Sequence, residues 1–232
     1  MTLIEAIRQR HSVRRYHPEP LSASAREKII RAIKLLNRLE DIEFTLVENE
    51  PEAFSGLLAY GSFSGVTNYI VITAPKGHGA DIKGGCRGEL LVLYARTLGL
   101  DTCWAGLSYR RSSPLFPKPE KGRRILACIA IGRGIDHGHP HRIKSPGQVS
   151  NISAVTPEWF DAGVKAALLA PTAVNQQRFR FTYIAPEMPG GLPAVRARAL
   201  FSLAGYTRVD LGIAMLHFKL CSSRALFRWE FA

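Results

Sequence analysis

The sequence predicts an α+β fold in which helices cover a mixed or mostly antiparallel sheet. Segments with helical periodicity and segments with strand character follow one another without the strict alternation that builds a parallel sheet. An apolar fraction of 46% over 232 residues is ordinary for a globular protein and is enough for a sizeable core. A helix followed by a strand recurs in the second part of the chain, which indicates two divergent halves.

The first half contains three predicted helices and three predicted strands. Leu3, Ile4, Ala6 and Ile7 are spaced as on one face of a helix. A second helix is predicted to run to about Leu39, with Ser22 or Ser24 as its N-cap. Strands are predicted at residues 43–47, 69–73 and 124–131, and an apolar helix is predicted to begin at Glu89.

The second half repeats part of this order. Thr156 is predicted to cap a helix with Pro157 at its first position, and this helix reaches about Leu169. A strand at residues 180–184 follows, and an apolar helix is predicted to begin at Asp210. The strand sequence Phe-Thr-Tyr-Ile at 181–184 matches Phe-Thr-Leu-Val at 44–47. A stretch rich in Gly, Pro and His at residues 133–153 reads as the linker between the halves.

Several classes of protein are disfavoured by composition. The longest apolar runs fall far short of the roughly 20 residues that cross a bilayer, and no secretory signal is visible, so the cytoplasm is the expected location. Four widely spaced cysteines without a C-x-x-C pair argue against a disulfide framework or a structural zinc site. His137, His139 and His141 alternate as metal ligands can, but a solvated loop is the favoured interpretation, and no metal is expected.

A net charge of +12 is compatible with three classes of anionic partner: nucleic acid, acidic lipid or a small molecule. Nucleic-acid modules usually interleave aromatic and basic residues along a strand or place basic residues along one helix. Here the basic residues are scattered in short clusters along the chain. We therefore expect neither nucleic acid nor a membrane as the partner.

One basic cluster is suited to a phosphate group. The run Arg-His-Ser-Val-Arg-Arg at residues 10–15 places three guanidiniums, an imidazole and a hydroxyl just after the first helical segment. Arginine donates in a planar fork that matches phosphate oxygens, and serine adds a short donor. The alternative is a solvated basic helix end, where arginine meets the negative pole of the helix dipole.

The second half has no such cluster but carries a loop that the first half lacks. Ala-Pro-Thr-Ala-Val-Asn-Gln-Gln at residues 170–177 ends a helix at the proline and then presents hydroxyl, amide and backbone donors. Groups of this kind suit a polar planar ring. The two halves together predict a single ligand bound between them, although residues 171–177 also fit a merely polar loop.

Three segments in this order resemble the FMN-dependent nitroreductase superfamily, and specifically its single-chain branch whose two halves look like a fused dimer. Residues 7–16 are similar to the pattern I-x-x-R-R-S-V-R-x-[FY], and residues 99–106 to G-L-G-T-C-W-x-G. Residues 170–179 are similar to A-P-S-x-x-N-x-Q-P-W, with Thr172 in place of Ser and Arg178-Phe179 in place of Pro-Trp. Residues 210–218 also resemble the D-x-G-I-A-x-x-H-F run of that branch.

The resemblance implies one nitroreductase-like domain over residues 1–232, made of pseudo-repeats at about 1–145 and 146–232. It also implies an FMN site. Arg10, Ser12 and Arg14 would hold the phosphate and ribityl chain, with His11 alongside, and Ala105 and Gly106 would place amides near the flavin N5 and O4 edge. Late basic residues, Arg142 and Lys144, would complete the phosphate site. The ring would be approached by Pro171, Thr172, Ala173 and Asn175.

The activity implied is ping-pong hydride transfer from NAD(P)H through FMN to a nitroaromatic, quinone or related acceptor. No side chain is assigned as a general acid, because the cofactor supplies the difficult chemistry. Cys103 and Trp104 are interpreted as core residues. A flavin-binding or sensor protein with little turnover remains the alternative, and either a monomer or a homodimer is compatible with the sequence.

Overall fold

The computed structural model describes residues 1–39, 41–55, 63–188, 190–223 and 225–231. The chain forms two compact units, Met1–Pro140 and His141–Ala232, each with its own sheet and helices. The change from one unit to the other falls inside the loop-rich stretch predicted at residues 133–153. None of the described helices combines the length and the apolar character that crossing a bilayer requires.

The first unit contains a four-stranded antiparallel sheet. Its strands have the order β1-β2-β4-β3, and β2 is buried along almost its whole length because it lies inside the sheet. Helix α3 packs against α1, α2 and the sheet. The helices are α1 (Leu3–Gln9), α2 (Ala23–Asn37) and α3 (His78–Thr97), and the strands are β1 (Glu43–Val47), β2 (Tyr69–Pro75), β3 (Asp101–Ala105) and β4 (Arg123–Gly132).

Local side-chain chemistry sets the ends of the first two helices. Thr2 and Glu5 form a reciprocal capping box at the start of α1. The hydroxyl of Ser22 accepts from the amide of Ala25 and caps α2, as the sequence predicts. At the other end of α2, the Asn37 side chain exchanges two hydrogen bonds with the backbone of Phe44 and so ties the helix to β1.

The second unit contains a mixed three-stranded sheet covered by two helices. Strand β5 pairs with β6 in antiparallel fashion, and β6 pairs with β7 in parallel fashion. Four phenylalanines from the sheet and the helices are fully buried and form its core: Phe160, Phe179, Phe181 and Phe218. The elements are α4 (Pro146–Val149), α5 (Glu158–Ala167), β5 (Phe179–Ile184), β6 (Ala194–Ala199), α6 (Thr207–Cys221) and β7 (Arg228–Phe231). With the antiparallel sheet of the first unit, this confirms the predicted fold class.

Two predicted helix starts are wrong. Glu89 lies in the middle of α3, which begins at His78, and α6 begins at Thr207 rather than Asp210. The early turns of α3 contain glycines, which lower helix propensity and hide the periodicity. Packing explains two of them: a Cβ at Gly84 would stand 2.2 Å from the Leu126 side chain, and one at Gly88 would stand 2.4 Å from Trp104.

The predicted cap of the second-half helix is also wrong by one residue. Pro157 occupies the N-cap position with an extended backbone, and its carbonyl accepts from Phe160. The Thr156 hydroxyl instead donates to the carbonyl of Ser153 at 2.8 Å. Proline is compatible with either position because neither requires its missing N–H.

Replacing Gly163 with alanine is expected to lower the free energy of unfolding by about 1–2 kcal/mol. A Cβ at this position of α5 would stand 2.8 Å from three atoms of the buried Phe218 ring, which is overpacking of the kind that costs about 1–3 kcal/mol. The higher helix propensity of alanine offsets part of that cost. Urea denaturation measures the loss. Gly147→Ala is the control, because a Cβ there meets nothing within 4 Å and should leave stability within about 0.5 kcal/mol of the wild type.

Candidate functional site

The basic cluster of the first unit lies on an extended segment that runs beside β3. Arg10 ends α1 with an extended backbone (φ −73°, ψ 126°). Ser12 then forms a parallel bridge with Thr102, and the amide of Val13 donates to the carbonyl of Thr102 at 3.1 Å. Arg10 is therefore the C-cap of α1, whereas the rest of the cluster lies beyond the helix on extended backbone, so a helix end describes only its first residue.

Extended backbone alternates side chains between two faces, so Arg10, Ser12 and Arg14 share one face of the segment. All three influence the pKa of the buried Cys103 thiol. Burial raises the pKa of that thiol, and the charges of Arg14 and Arg10 and a hydrogen bond with Ser12 oppose the rise. Arg14 is exposed, whereas Ser12 and His11 are half-buried. The structure thus brings together the predicted phosphate-binding residues of this unit.

Arg10 is more deeply buried than a surface phosphate ligand would be. Its side chain is only 3% exposed, and its Nε lies 3.9 Å from Oε1 of the fully buried Glu89. That is an ion-pair distance but not a hydrogen bond, and Nε has no hydrogen-bond partner among the described residues. Burial lowers the pKa of Arg10, and the charge of Glu89 opposes this effect. No sequence pattern indicates that Glu89 lies beside Arg10.

Cys103 and Trp104 are part of the packing, as interpreted from the sequence. Cys103 is buried, and the half-buried Trp104 donates from Nε1 to Oε2 of Glu89 at 2.8 Å. Strand β3 ends at the buried Ala105, and the half-buried Gly106 follows it. Glu89 therefore connects the end of this strand to Arg10.

The second unit presents the loop at residues 171–177. Its backbone is left-handed at three of the last four positions, with φ of 45° at Val174, 54° at Asn175 and 46° at Gln177. A β-branched residue in this region is a genuine outlier, and such strain persists only where the surroundings impose it. Pro171 is buried, Thr172 and Ala173 are half-buried, and Asn175 is exposed.

Hydrogen bonds within the loop fix this shape. The hydroxyl of Thr172 accepts from the amide of Gln177 at 3.1 Å. The Gln177 side chain is buried and donates to the carbonyl of Arg142 and to Oδ1 of Asn175, both at 2.8 Å. Asn175 also donates to the Arg142 carbonyl at 2.8 Å. The loop and the segment around Arg142 therefore form one hydrogen-bonded structure.

The two late basic residues have different surroundings. The side chain of Arg142 is exposed, and its backbone carbonyl accepts a hydrogen bond from Asn175 in the loop. Lys144 Nζ donates to the carbonyls of Gln176 and Gln177 at 2.8 and 3.0 Å. Burial lowers the pKa of Lys144, and the nearby charge of Arg178 lowers it further. Lys144 thus stabilises the loop backbone, a role that its sequence position did not indicate.

Asp210 is the functional candidate that the site prediction missed. It lies in the first turn of α6, is 3% exposed, and accepts from Ala173 N at 3.0 Å and from Gln176 Nε2 at 2.7 Å. Burial raises its pKa to about 7, and the hydrogen bonds from Gln176 and Ala173 oppose the rise. Its position in the D-x-G-I-A run could have marked it as a site residue, but nothing in that run indicates that it contacts Ala173 and Gln176.

The predicted site residues thus form two groups, one in each unit. No group of three or more His, Cys, Asp or Glu side chains among the described residues is arranged to hold a metal ion. His137 is largely exposed, with Nδ1 3.3 Å from a carboxylate oxygen of Asp101.

Comparison with known proteins connects this chain to one family. Residues 2–222 match the family model described as "Putative TM nitroreductase". No curated protein matches significantly. Among solved structures, a putative nitroreductase from Thermotoga maritima shares 20% identity at a TM-score of 0.67, covering 95% of this chain and 83% of its own.

A second solved structure is a putative nitroreductase from Desulfovibrio desulfuricans in complex with FMN. It shares 20% identity at a TM-score of 0.52, with coverage of 68% of this chain and 99% of its own. At this identity the likenesses show a common fold. The family match extends over both units, including residues 10–14, the loop at 171–177 and Asp210, and on that match the chain belongs to the nitroreductase family.

Proposed function

We propose that the protein is an FMN-dependent oxidoreductase that takes hydride from NAD(P)H and passes electrons to a nitroaromatic, quinone or related acceptor. The observation that carries the proposal is the shared face of Arg10, Ser12 and Arg14 within a chain that matches the family model. The relative from Desulfovibrio desulfuricans, which binds FMN, supports the choice of cofactor.

The residues of the first unit fit a phosphate ester. Arg14 offers an exposed guanidinium, and Ser12 a hydroxyl on the same face. The Nε of Arg10 is a buried donor with no hydrogen-bond partner in the part of the chain that the structure describes, and such a donor is costly unless a ligand satisfies it. We infer that Arg10, Ser12 and Arg14 hold the phosphate and ribityl chain, with His11 alongside, and that Ala105 and Gly106 lie near the flavin N5 and O4 edge.

The residues of the second unit fit the isoalloxazine ring. Pro171, Thr172, Ala173 and Asn175 belong to a loop whose left-handed backbone is fixed by its own hydrogen bonds. A preformed loop binds a rigid planar ring without a further loss of conformational entropy. We propose that these four residues approach the ring and that Lys144, with Arg142, supports the loop.

FMN, when bound, supplies reversible hydride chemistry at N5. The chain's own contribution is placement and electrostatics. Arg14 and Arg10 bring positive charge, which stabilises the phosphate. We also propose that the two units are divergent copies of one helix-and-strand arrangement, represented by α2–β1 and α5–β5. We further propose that the protein is located in the cytoplasm.

Purified protein tests the proposal directly. We expect flavin absorption in the visible range, about one FMN per chain released on denaturation, and oxidation of NAD(P)H that depends on an added quinone or nitroaromatic acceptor. Flavin without turnover would favour the alternative, a flavin-binding or sensor protein. A colourless preparation that cannot be reconstituted with FMN would refute both.

Replacing Arg14 with alanine is expected to weaken FMN binding by about tenfold or more while stability stays within about 0.5 kcal/mol of the wild type. A charge-assisted hydrogen bond to phosphate is worth about 1.5–3 kcal/mol, whereas an exposed arginine contributes little to folding. Quenching of FMN fluorescence measures the affinity.

Arg15→Ala is the matched control for Arg14→Ala. Arg15 is also exposed and adjoins Arg14, but it lies on the opposite face of the extended segment, 3.7 Å from a carboxylate oxygen of Asp136. Equal effects of the two substitutions would mean that general positive charge, and not the face shared with Ser12, attracts the cofactor.

A further inference from the structure

The loop at residues 171–177 adopts a backbone that its sequence does not favour. Val174 and Asn175 are consecutive left-handed residues, and Gln177 is a third. Asparagine tolerates this conformation, but a β-branched side chain such as that of Val174 does so only at a cost. Since Val174 is 83% exposed, packing of its own side chain does not impose the conformation. Contacts elsewhere in the loop must do so.

Asp210 supplies two of these contacts, on either side of the strained pair. The amide of Ala173 donates to Oδ1 at 3.0 Å, and the side chain of Gln176 donates to Oδ2 at 2.7 Å. The Gln176 amide also donates to the carbonyl of Gly205 at 2.9 Å. One carboxylate therefore fastens residues 173 and 176 to the start of α6, with Val174 and Asn175 between them.

Asp210 occupies a position where a charged carboxylate is energetically unfavourable. It is 3% exposed and forms no ion pair with the described basic residues, so only hydrogen bonds and the N-terminal turn of α6 compensate its charge. Consistent with this cost, burial raises its pKa to about 7. An apolar side chain would fill the space at less cost, and only a bidentate acceptor can fasten two donors at once.

We propose that Asp210 is a positioning residue for the flavin: its carboxylate holds Ala173 and Gln176 and thereby keeps Val174 and Asn175, between them, in the left-handed conformation, so that the loop is shaped before the cofactor arrives. This inference rests on the proposed function, because it assigns the loop to the flavin ring. Asp210 acts through Ala173 and Gln176 and does not itself touch the cofactor.

Asp210→Asn is the most informative substitution, since it keeps the size of the side chain and removes one acceptor. The asparagine amide can accept from only one of the two donors, and turning the Gln176 amide to meet it would deprive the Gly205 carbonyl of its donor. At about pH 8, where the Asp210 carboxyl is ionised, we expect hydrogen exchange in the ligand-free protein to become faster at residues 171–178, and the dissociation constant for FMN to rise at least about tenfold.

Two further variants separate positioning from general stability. Asp161→Asn removes a carboxylate on α5 that accepts from Lys165 at 2.7 Å, one turn along the same helix, so both readouts should match the wild type. Val174→Gly relieves the left-handed strain, because glycine adopts positive φ without a steric cost. Combined with Asp210→Asn, it should recover at least about threefold of the lost FMN affinity, with the single Val174→Gly variant as reference.

The two hypotheses fail in different ways. If the wild type binds no FMN, the proposed function is wrong, and the exchange measurement alone decides whether Asp210 holds the loop. If exchange and FMN affinity are unchanged in Asp210→Asn, the positioning role is overturned. A loss of affinity that Val174→Gly does not relieve would also overturn it, since the effect would not then act through the strained backbone.

Discussion

Replacing Arg10 with alanine is expected to lower the free energy of unfolding by about 3–5 kcal/mol. Arg10 and Glu89 are a buried pair, with side-chain exposures of 3% and 0%. Removing the guanidinium would take away a buried positive charge 3.9 Å from the Glu89 carboxylate, and breaking a buried pair in this way typically costs that amount. Trp104 would still donate to Glu89, but a neutral hydrogen bond does not replace a cation. Urea denaturation of ligand-free protein measures the loss.

A double-mutant cycle shows whether the pair itself is responsible. Arg10→Met combined with Glu89→Gln removes both charges and keeps the approximate volume, so it should recover much of the stability that Arg10→Met alone loses. Arg14→Ala serves as the control for basic residues of the same face. A loss below about 1 kcal/mol in Arg10→Ala would show that the buried pair is not a major source of stability.

As the pH rises from about 4 to about 7, the free energy of unfolding of the wild type is expected to fall relative to that of Asp210→Asn, by up to about 4 kcal/mol. Burial raises its pKa to about 7, against about 3.9 in an unfolded chain. Between these values the folded protein holds a proton that the unfolded chain has released. The stabilisation of the folded protein by the raised pKa of Asp210 is therefore complete below about pH 4. It is lost as the pH rises through about 7, at about 1.4 kcal/mol for each pH unit.

The measurement is the difference in unfolding free energy between wild type and Asp210→Asn at several values between pH 4 and pH 8. This difference cancels the contributions of other titrating groups. Asp161→Asn should follow the wild type in parallel, because Asp161 lies at the surface beside Lys165. A wild-type minus Asp210→Asn difference that does not change with pH would contradict the raised pKa.

Local patterns in the sequence predicted much of the fold. Ser22 marks the start of α2 because an N-cap needs only its own side chain and the next turn. Strand β1 was predicted at its observed bounds, Glu43–Val47. The start of α3 was missed because Gly84 and Gly88 serve contacts with strands distant in the chain, and local propensity does not record such contacts.

The candidate site was predicted in part for the same reason. The residues at 10–14 are close in sequence, and their chemistry is visible as a cluster. The partners that fix them are not close: Glu89 meets Arg10 only because α3 packs on α1, and Asp210 meets Ala173 across 37 residues. Such pairings are set by tertiary packing, so the residues that hold a site in place are harder to predict than those that contact a ligand.

The extended segment at residues 10–16 has a second consequence, which concerns self-association. Strand β3 lies at the edge of its sheet, and edge strands offer unpaired backbone groups to other chains. The segment covers part of this edge, with Val13 donating to the carbonyl of Thr102. The residues proposed to bind phosphate therefore also shield an aggregation-prone surface, so that selection for ligand binding and selection for solubility act on the same short stretch of chain.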